Sequence, residues 1–396
     1  ALLVPGSLAI ISASFSEEQR GRAFGTWSGF TAVTTVVGPV LGGALVQYAS
    51  WRWIFFLNVP LAVVVLIVLF WRVPESRDES ATGNLDWWGA TLTTVGLAAI
   101  VFGLIQAGSL GLASPQVIAF VVIGIVILSV FLFVESRIAA PMVSLALFRS
   151  PTFSGANLLT FLLYGALSGL TYFFPFDLIQ VQGYSPTATG AAFVPFIVIM
   201  FLLSRLIGGF ADKYGARPML IIGPTITAIG FALFAFPGAS GSYWLTFFPA
   251  VLVMGIGMTI TVSPLTTAVM GAVASSHAGI ASAINNAVSR IAGLLAIAIL
   301  SIVMVAVFSS SLDQQLAALR LSPALQQAID AQRFKLAGIA IPASANSGTQ
   351  AAIKTAINSA FVSGFRVVTY ICAALALLSA LAAWALVRGK RAARGA

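Results

Sequence analysis

The sequence predicts an all-α polytopic membrane protein with eleven membrane-spanning helices, the first of them partial. Composition, the length of the uncharged runs and the placement of the basic residues carry that expectation. Of 396 residues, 59% are hydrophobic and 8% charged, and the mean hydropathy is +1.01. A soluble domain carries roughly a quarter charged residues, so this chain is built for lipid.

A helix needs about 20 mostly apolar residues to cross the hydrocarbon core. Eleven runs, uncharged but for Arg290 in the tenth, approach or exceed that length, near 1–13, 23–48, 53–71, 87–107, 115–134, 153–176, 186–204, 218–236, 243–270, 279–308 and 367–387. An unpaired backbone amide costs several kcal/mol in lipid, which excludes loose strands, and the runs are too long and unbroken for a barrel. The first run, "ALLVPGSLAIISA", has no initiator Met and no basic flank, and is too short to span. It reads as the continuation of a helix, in a chain truncated at its N-terminus.

Orientation follows from Lys and Arg. With "SFSEEQRGRAFG" on the cytoplasmic side, alternation places thirteen basic residues there, from Arg20 and Arg22 through Lys213 and Arg217 to Arg394. The opposite side receives Arg52, Arg366 and the four cations of one long loop, which the positive-inside rule discounts. The net charge of +9 is thereby a consequence of topology, and no nucleic-acid partner is implied. Multi-pass insertion in a bacterial cytoplasmic (inner) membrane is the expected localisation, with the lipid bilayer as the first partner.

Catalytic chemistry finds little support. One Cys, Cys372 in the last span, and one His, His277 in a cytoplasmic connection, accompany 11 scattered acids. They supply no metal site, no nucleophile with its base and no paired carboxylates. No Gly-Lys-Ser/Thr phosphate loop is present, so direct ATP drive is not expected. The expectation is a protein without enzyme activity, cofactor or metal.

One run stands apart. "GTWSGFTAVTTVVGPVLGG", residues 25–43, holds five glycines and a proline without one charge. At 100° per residue, Gly25, Gly29 and Gly43 project within about 40° of one another, and Thr34, Gly38 and Gly42 fall on a nearly opposite face. Small residues let membrane helices approach closely, so this helix should be clasped on two sides, with Pro39 bending it between them.

This pattern, with "GPVLGG" at Gly38, Pro39, Gly42 and Gly43, resembles the antiporter motif of major facilitator superfamily drug exporters; Thr34 stands where the motif usually has another Gly. "ASWRWIFFLNVPLA", residues 49–62, is similar to the junction after that motif in fourteen-span drug:proton antiporters of the EmrB/QacA type. "GGFADKYGAR", residues 208–217, resembles the superfamily's loop motif in its C-terminal copy. There Gly208 should permit a close crossing, Gly215 a tight turn, Asp212 an ion pair or helix-terminal contact, and Lys213 and Arg217 hold the loop cytoplasmic. The resemblance implies that residues 1–76 are helices 4–6 of an N-terminal bundle. Residues 77–148 would be two inserted central helices, and 149–396 a six-helix C-terminal bundle with an extracytoplasmic loop at about 309–360. Within that loop the Leu and Ala spacing predicts one or two short amphipathic helices, a surface that a periplasmic adaptor protein could use.

The implied function is proton-driven efflux of hydrophobic or cationic drugs by alternating access, the partners being a drug-like small molecule and protons. A proton-coupled importer and a non-transporting scaffold are the alternatives. The family's expected coupling acid lies in its first helix; in this sequence Asp177, at the outer end of a span, is the carboxylate nearest membrane depth. Arg290 lies well inside an uncharged run, where it needs acceptors such as Asn285 and Asn286 or must snorkel to the surface. Gln106, Asn157, Tyr164, Tyr172, Asn285 and Asn286 are polar or aromatic groups within spans, candidates for a substrate pathway or for interhelical hydrogen bonds.

Overall fold

The computed structural model describes residues 37–72, 86–111, 113–138, 143, 145–273, 278–319 and 321–388. Gly25, Gly29, Thr34 and His277 lie outside them, as does the side chain of Asp212. Among the described residues every regular element is helical, and nine helices are long and apolar enough to cross a membrane. They coincide with the last nine of the eleven expected runs. Val37–Tyr48 (α1) is the described end of the second.

The chain forms two compact units. One comprises residues 1–84 and 184–201, the other 85–183 and 202–396. In the first unit α1 is followed by α2 (Arg52–Phe56) and α3 (Asn58–Arg72), and then by α7 (Pro186–Ala191) and the start of α8 (Val194–Tyr214). No residue of α3 is buried. Its sequence, NVPLAVVVLIVLFWR, is apolar all round, as a lipid-facing span requires.

The second unit contains α4 (Trp87–Leu110), α5 (Pro115–Glu135), α6 (Pro151–Phe176), the rest of α8, α9 (Ala216–Leu233), α10 (Tyr243–Gly271), α11 (Ala278–Ala317), α12 (Pro323–Asp330) and α13 (Ser347–Leu386). The α4–α5 hairpin packs through small residues. A methyl group on Gly124 would fall 2.6 Å from the Gly96 carbonyl oxygen, and one on Gly103 would lie 3.0 Å from Phe120 Cβ. In the bundle, α9 meets α10 at Gly230, 2.7 Å short of Met254 Cα, and at Gly223, 2.9 Å short of the Gly257 carbonyl. With no water to exclude, such backbone approach supplies the dispersion that joins membrane helices. Aromatic rings fill the end of the bundle, where Phe174 lies 5.0 Å from Phe234 and 5.2 Å from Phe247, all three fully buried.

Four helices start at a Ser-Pro pair: α5 at Ser114, α6 at Ser150, α7 at Ser185 and α12 at Ser322. Proline fits the first helical turn, where its missing N–H has no helical partner, and serine accepts from an orphan amide. Ser150, Ser185 and Ser322 do so, from Phe153, Ala188 and Leu325, at 3.2 to 3.4 Å.

The helices reach further than the uncharged runs. Helix α11 continues to Ala317, and α13 begins at Ser347, well before the expected start at 367. Lys354 and Arg366 interrupt the uncharged run without interrupting the helix, whose buried Ile353, Ile357, Phe361 and Phe365 recur every four residues. The segment read as a loop over about 309–360 therefore shrinks to 318–346. It holds α12 and a 3-10 turn, Arg333–Gly338. Arg333 ties it down, bonding Asp313 at the end of α11 at 3.0 Å and Asp330 at 2.7 Å.

Candidate functional site

In the first unit, α1 meets α7 at a reciprocal contact. A Cβ placed on Gly43 would sit 2.8 Å from the Pro186 carbonyl carbon and 2.9 Å from Thr187 Cα. One on Gly190 would sit 2.7 Å from the Pro39 carbonyl carbon. Each helix thus presents Pro-x-x-x-Gly, and each glycine faces the other helix's proline carbonyl. The pairing runs antiparallel, 39 with 190 and 43 with 186. Gln47 adds a polar tie, its Oε1 accepting from the Thr187 amide at 3.3 Å. Gly38 and Gly42, in contrast, have nothing among the described residues within 4 Å of a would-be side chain. Of the two smooth faces expected for the motif, the described residues occupy the one carrying Gly43.

In the second unit, Tyr164 of α6, Thr266, Val269 and Met270 of α10, and Ser282, Asn285, Asn286 and Ser289 of α11 line a polar cavity of about 130 Å³. Three of the predicted residues come together here. A fourth, Asn157, stands behind them at 4% exposure. Asn285 Nδ2 donates to Asn157 Oδ1 at 3.1 Å and to Thr160 Oγ1 at 2.7 Å. Both acceptors are fixed in that role, since Asn157 Nδ2 donates to the Phe153 carbonyl and the Thr160 hydroxyl to the Ala156 carbonyl, each at 2.9 Å. A buried amide clamp therefore joins α6 to α11. Close packing continues beyond it, Gly165 lying 3.4 Å short of the Ala292 carbonyl and Gly293 2.7 Å short of Ser168 Oγ.

Arg290 does not use the asparagines. Its side chain is exposed and has no hydrogen-bond partner among the described residues. Asn286 Nδ2 donates instead to the Ser282 carbonyl of its own helix at 3.0 Å. Tyr172 and Gln106 stand apart from the cavity. Tyr172 is exposed, edge-on to Phe173 at 5.0 Å, and Gln106 lies on α4.

Asp177 opens a π-helical turn, Asp177–Val181, and is 1% exposed, so it is not an interfacial, solvated carboxylate. Gln182 Nε2 lies 3.4 Å from its Oδ2 and donates to the Gly238 carbonyl at 2.9 Å. On the same turn, the Gln180 carbonyl accepts from Lys354 Nζ at 3.4 Å. That ammonium also reaches the Ala337 carbonyl at 3.4 Å, joining α13 to the wide turn and to the 318–346 segment.

At the loop motif, Gly215 has φ +84°, a conformation that a Cβ disfavours. Gly208 has room for a methyl, its nearest neighbour being Ser263 Oγ at 3.7 Å, so the expected close crossing is absent at that position. Lys213 is exposed, its Nζ 5.1 Å from the Tyr214 ring centroid. Arg217 Nη2 donates to the Trp384 carbonyl at 2.8 Å, in the last turn of α13. Those terminal carbonyls lack helical partners and carry the negative end of the helix dipole, so a guanidinium satisfies both.

Residues that sequence reasoning passed over are Thr160, Thr266, Ser282 and Ser289 at the cavity and Pro186 and Gly190 at the crossing. Two signals mark them. Ser282, Asn285 or Asn286, and Ser289 recur at helical spacing on α11, and Pro-x-x-x-Gly occurs at both 39–43 and 186–190.

These elements define a multi-pass helical membrane protein with a polar cavity set into a helix bundle. The chain belongs to the Major Facilitator Superfamily, whose family profile matches residues 1–297. It is 31% identical over 316 residues to the multidrug resistance protein Stp of Mycobacterium tuberculosis, covering 78% of this chain and 57% of that protein. It is 27% identical over 388 residues to the tetracenomycin C resistance and export protein of Streptomyces glaucescens, covering 97% of this chain and 71% of that protein. The chain thus spans little more than half the length of the first relative. Among solved structures, a bacterial homolog of the human lysosomal transporter Spinster, in an inward-facing and occupied conformation, aligns with TM-score 0.56. That alignment has 16% identity and covers 97% of this chain and 73% of the other, a likeness of fold.

Proposed function

We propose that this chain works in proton-driven efflux of hydrophobic or cationic drug-like molecules across the bacterial cytoplasmic membrane, by alternating access, as a fourteen-span drug:proton antiporter. The observation that carries this reading is the Gly43–Pro186 and Gly190–Pro39 crossing, which uses the backbone of the antiporter motif as a helix contact. The glycines bring backbone against backbone, with Gln47 as a polar side-chain tie beside them, so the two helices can slide or part with little repacking of interlocked groups, as rocking transport requires. The names of the relatives, a multidrug resistance protein and an antibiotic export protein, support the same reading. Asp177, at 1% exposure one of two deeply buried carboxylates among the described residues with Glu135 at 2%, is within it the group that exchanges a proton for substrate. The loop motif, with Gly215 shaping the turn and Arg217 fastening α13, is the conformational hinge.

The test is ethidium efflux from energised cells expressing the gene that encodes this chain, with and without a protonophore. Extrusion that stops when the proton gradient collapses supports the proposal. Correctly inserted protein with no gradient-dependent extrusion contradicts it.

A further inference from the structure

Substrate selection in the α6–α10–α11 cavity can be read from which polar atoms are already committed. Asn285 spends both amide hydrogens on Asn157 and Thr160, leaving its carbonyl Oδ1 as the polar atom it still offers. Asn286 spends one Nδ2 hydrogen on the Ser282 carbonyl and keeps the other, together with its Oδ1. The Ser289 hydroxyl donates to the Asn286 carbonyl at 2.8 Å, and the Thr266 hydroxyl to the Val262 carbonyl at 3.2 Å. Each keeps its lone pairs and has used its proton. Three lining groups, Asn285, Ser289 and Thr266, are thus acceptors, while Asn286, Tyr164 and Ser282 serve in either sense. Among the described lining residues none carries a charge at neutral pH, and Val269 and Met270 supply the apolar wall.

We infer that this cavity is a subsite for the hydrogen-bond-donor edge of an uncharged ring, a phenol or hydroxylated aromatic, and that it holds an acceptor-only ring less tightly. This deepens the transport reading and rests on it, since the cavity is taken as part of the substrate path. The physical basis is one-sided. A ligand hydroxyl entering here finds acceptors already turned toward it, whereas an ether or carboxylate leaves those oxygens desolvated and unpaired. The amide clamp strengthens the selection, because Asn285 cannot turn over to offer its NH₂ without abandoning two buried partners.

The test uses the purified chain in lipid nanodiscs, with equilibrium dialysis of 7-hydroxycoumarin against 7-methoxycoumarin and empty discs as the blank. The pair shares its ring and differs in the donor. The hydroxyl compound is expected to bind about tenfold more tightly or better, as one satisfied hydrogen bond implies. Raising the pH until the phenol ionises should abolish its advantage. Asn286→Leu, whose amide makes no contact across helices among the described residues, should weaken the preference with its melting temperature unchanged. Ser289→Ala should reduce it partially. Equal binding of the two coumarins, or a preference undiminished in both Asn286→Leu and Ser289→Ala, overturns the inference even where ethidium efflux proceeds normally. A hydroxyl preference in a protein that shows no efflux sinks the transport reading instead, and leaves the pocket chemistry standing.

Discussion

Gly43 rests against the peptide of Pro186, with 2.8 Å between the place where its side chain would begin and the proline carbonyl carbon. Gly190 repeats the arrangement against Pro39. A methyl group at either position must push two helix backbones apart, and overpacking of this kind costs about 1–3 kcal/mol. Gly43→Ala and Gly190→Ala should therefore lower the denaturation midpoint in mixed micelles, while Gly42→Ala, with no neighbour within 4 Å among the described residues, should leave it unchanged. Equal effects at 42 and 43 would refute the assignment of the contact face.

The amide clamp makes a second prediction. Asn285→Leu strands Asn157 Oδ1 and Thr160 Oγ1, and should destabilise the second unit by roughly 0.5–2 kcal/mol, the range for interhelical hydrogen bonds in membranes. A double-mutant cycle with Asn157→Ala isolates the pair. Additive losses would show that the two asparagines do not act on each other.

Arg217 fastens the end of the last helix. Arg217→Gln removes the cation from the Trp384 carbonyl, and about 0.3–1 kcal/mol of local stability with it. Hydrogen exchange should accelerate in the last turn of α13, up to Val387, and stay unchanged in its buried middle around Phe361. Lysine at 217 should restore part of the protection, since charge without the planar fork still favours the helix terminus.

The Arg333 tie should be insensitive to alkali. The Asp313 carboxylate that bonds it, followed by that of Asp330, raises the guanidinium's pKa above its ordinary value. A raised pKa gives stability that is full below the unfolded value and lost only as pH rises past the folded one, beyond the ordinary arginine range. Exchange protection of residues 333–338 should hold flat from neutral pH to about pH 10 after correction for intrinsic rates, and fall at every pH in Arg333→Gln. Loss of protection between pH 8 and 10 in the native sequence would mean that another group holds the segment.

Much of the fold was legible because an uncharged run of helical length has one stable solution in lipid. The nine described spans sit where the runs place them. Charge-free length was the wrong ruler for α13, where Lys354 and Arg366 interrupt the run but leave the apolar face intact. The cavity was half legible. Asn157, Asn285, Asn286 and Tyr164 stand out as polar residues inside spans, whereas Thr266, Ser282 and Ser289 resemble the many hydroxyls that bond carbonyls of their own helix. Arg290 was read as either bonding acceptors such as the asparagines or snorkelling to the surface, and its side chain is exposed and bonded to neither asparagine among the described residues. Which glycines touch backbone was not legible at all, since Gly38, Gly42 and Gly43 differ only in what lies opposite, and Pro186 is far away in sequence.

The central claim is that the motif's backbone contact is a working part of a proton-driven exporter. It is tested most directly by ethidium efflux from energised cells expressing the native sequence, Gly43→Leu or Gly38→Leu at matched membrane levels, each with and without protonophore. The account predicts protonophore-sensitive efflux for the native protein and Gly38→Leu, and its loss in Gly43→Leu. Efflux in Gly43→Leu equal to that of the native protein would contradict it, and would reduce the crossing to a packing feature.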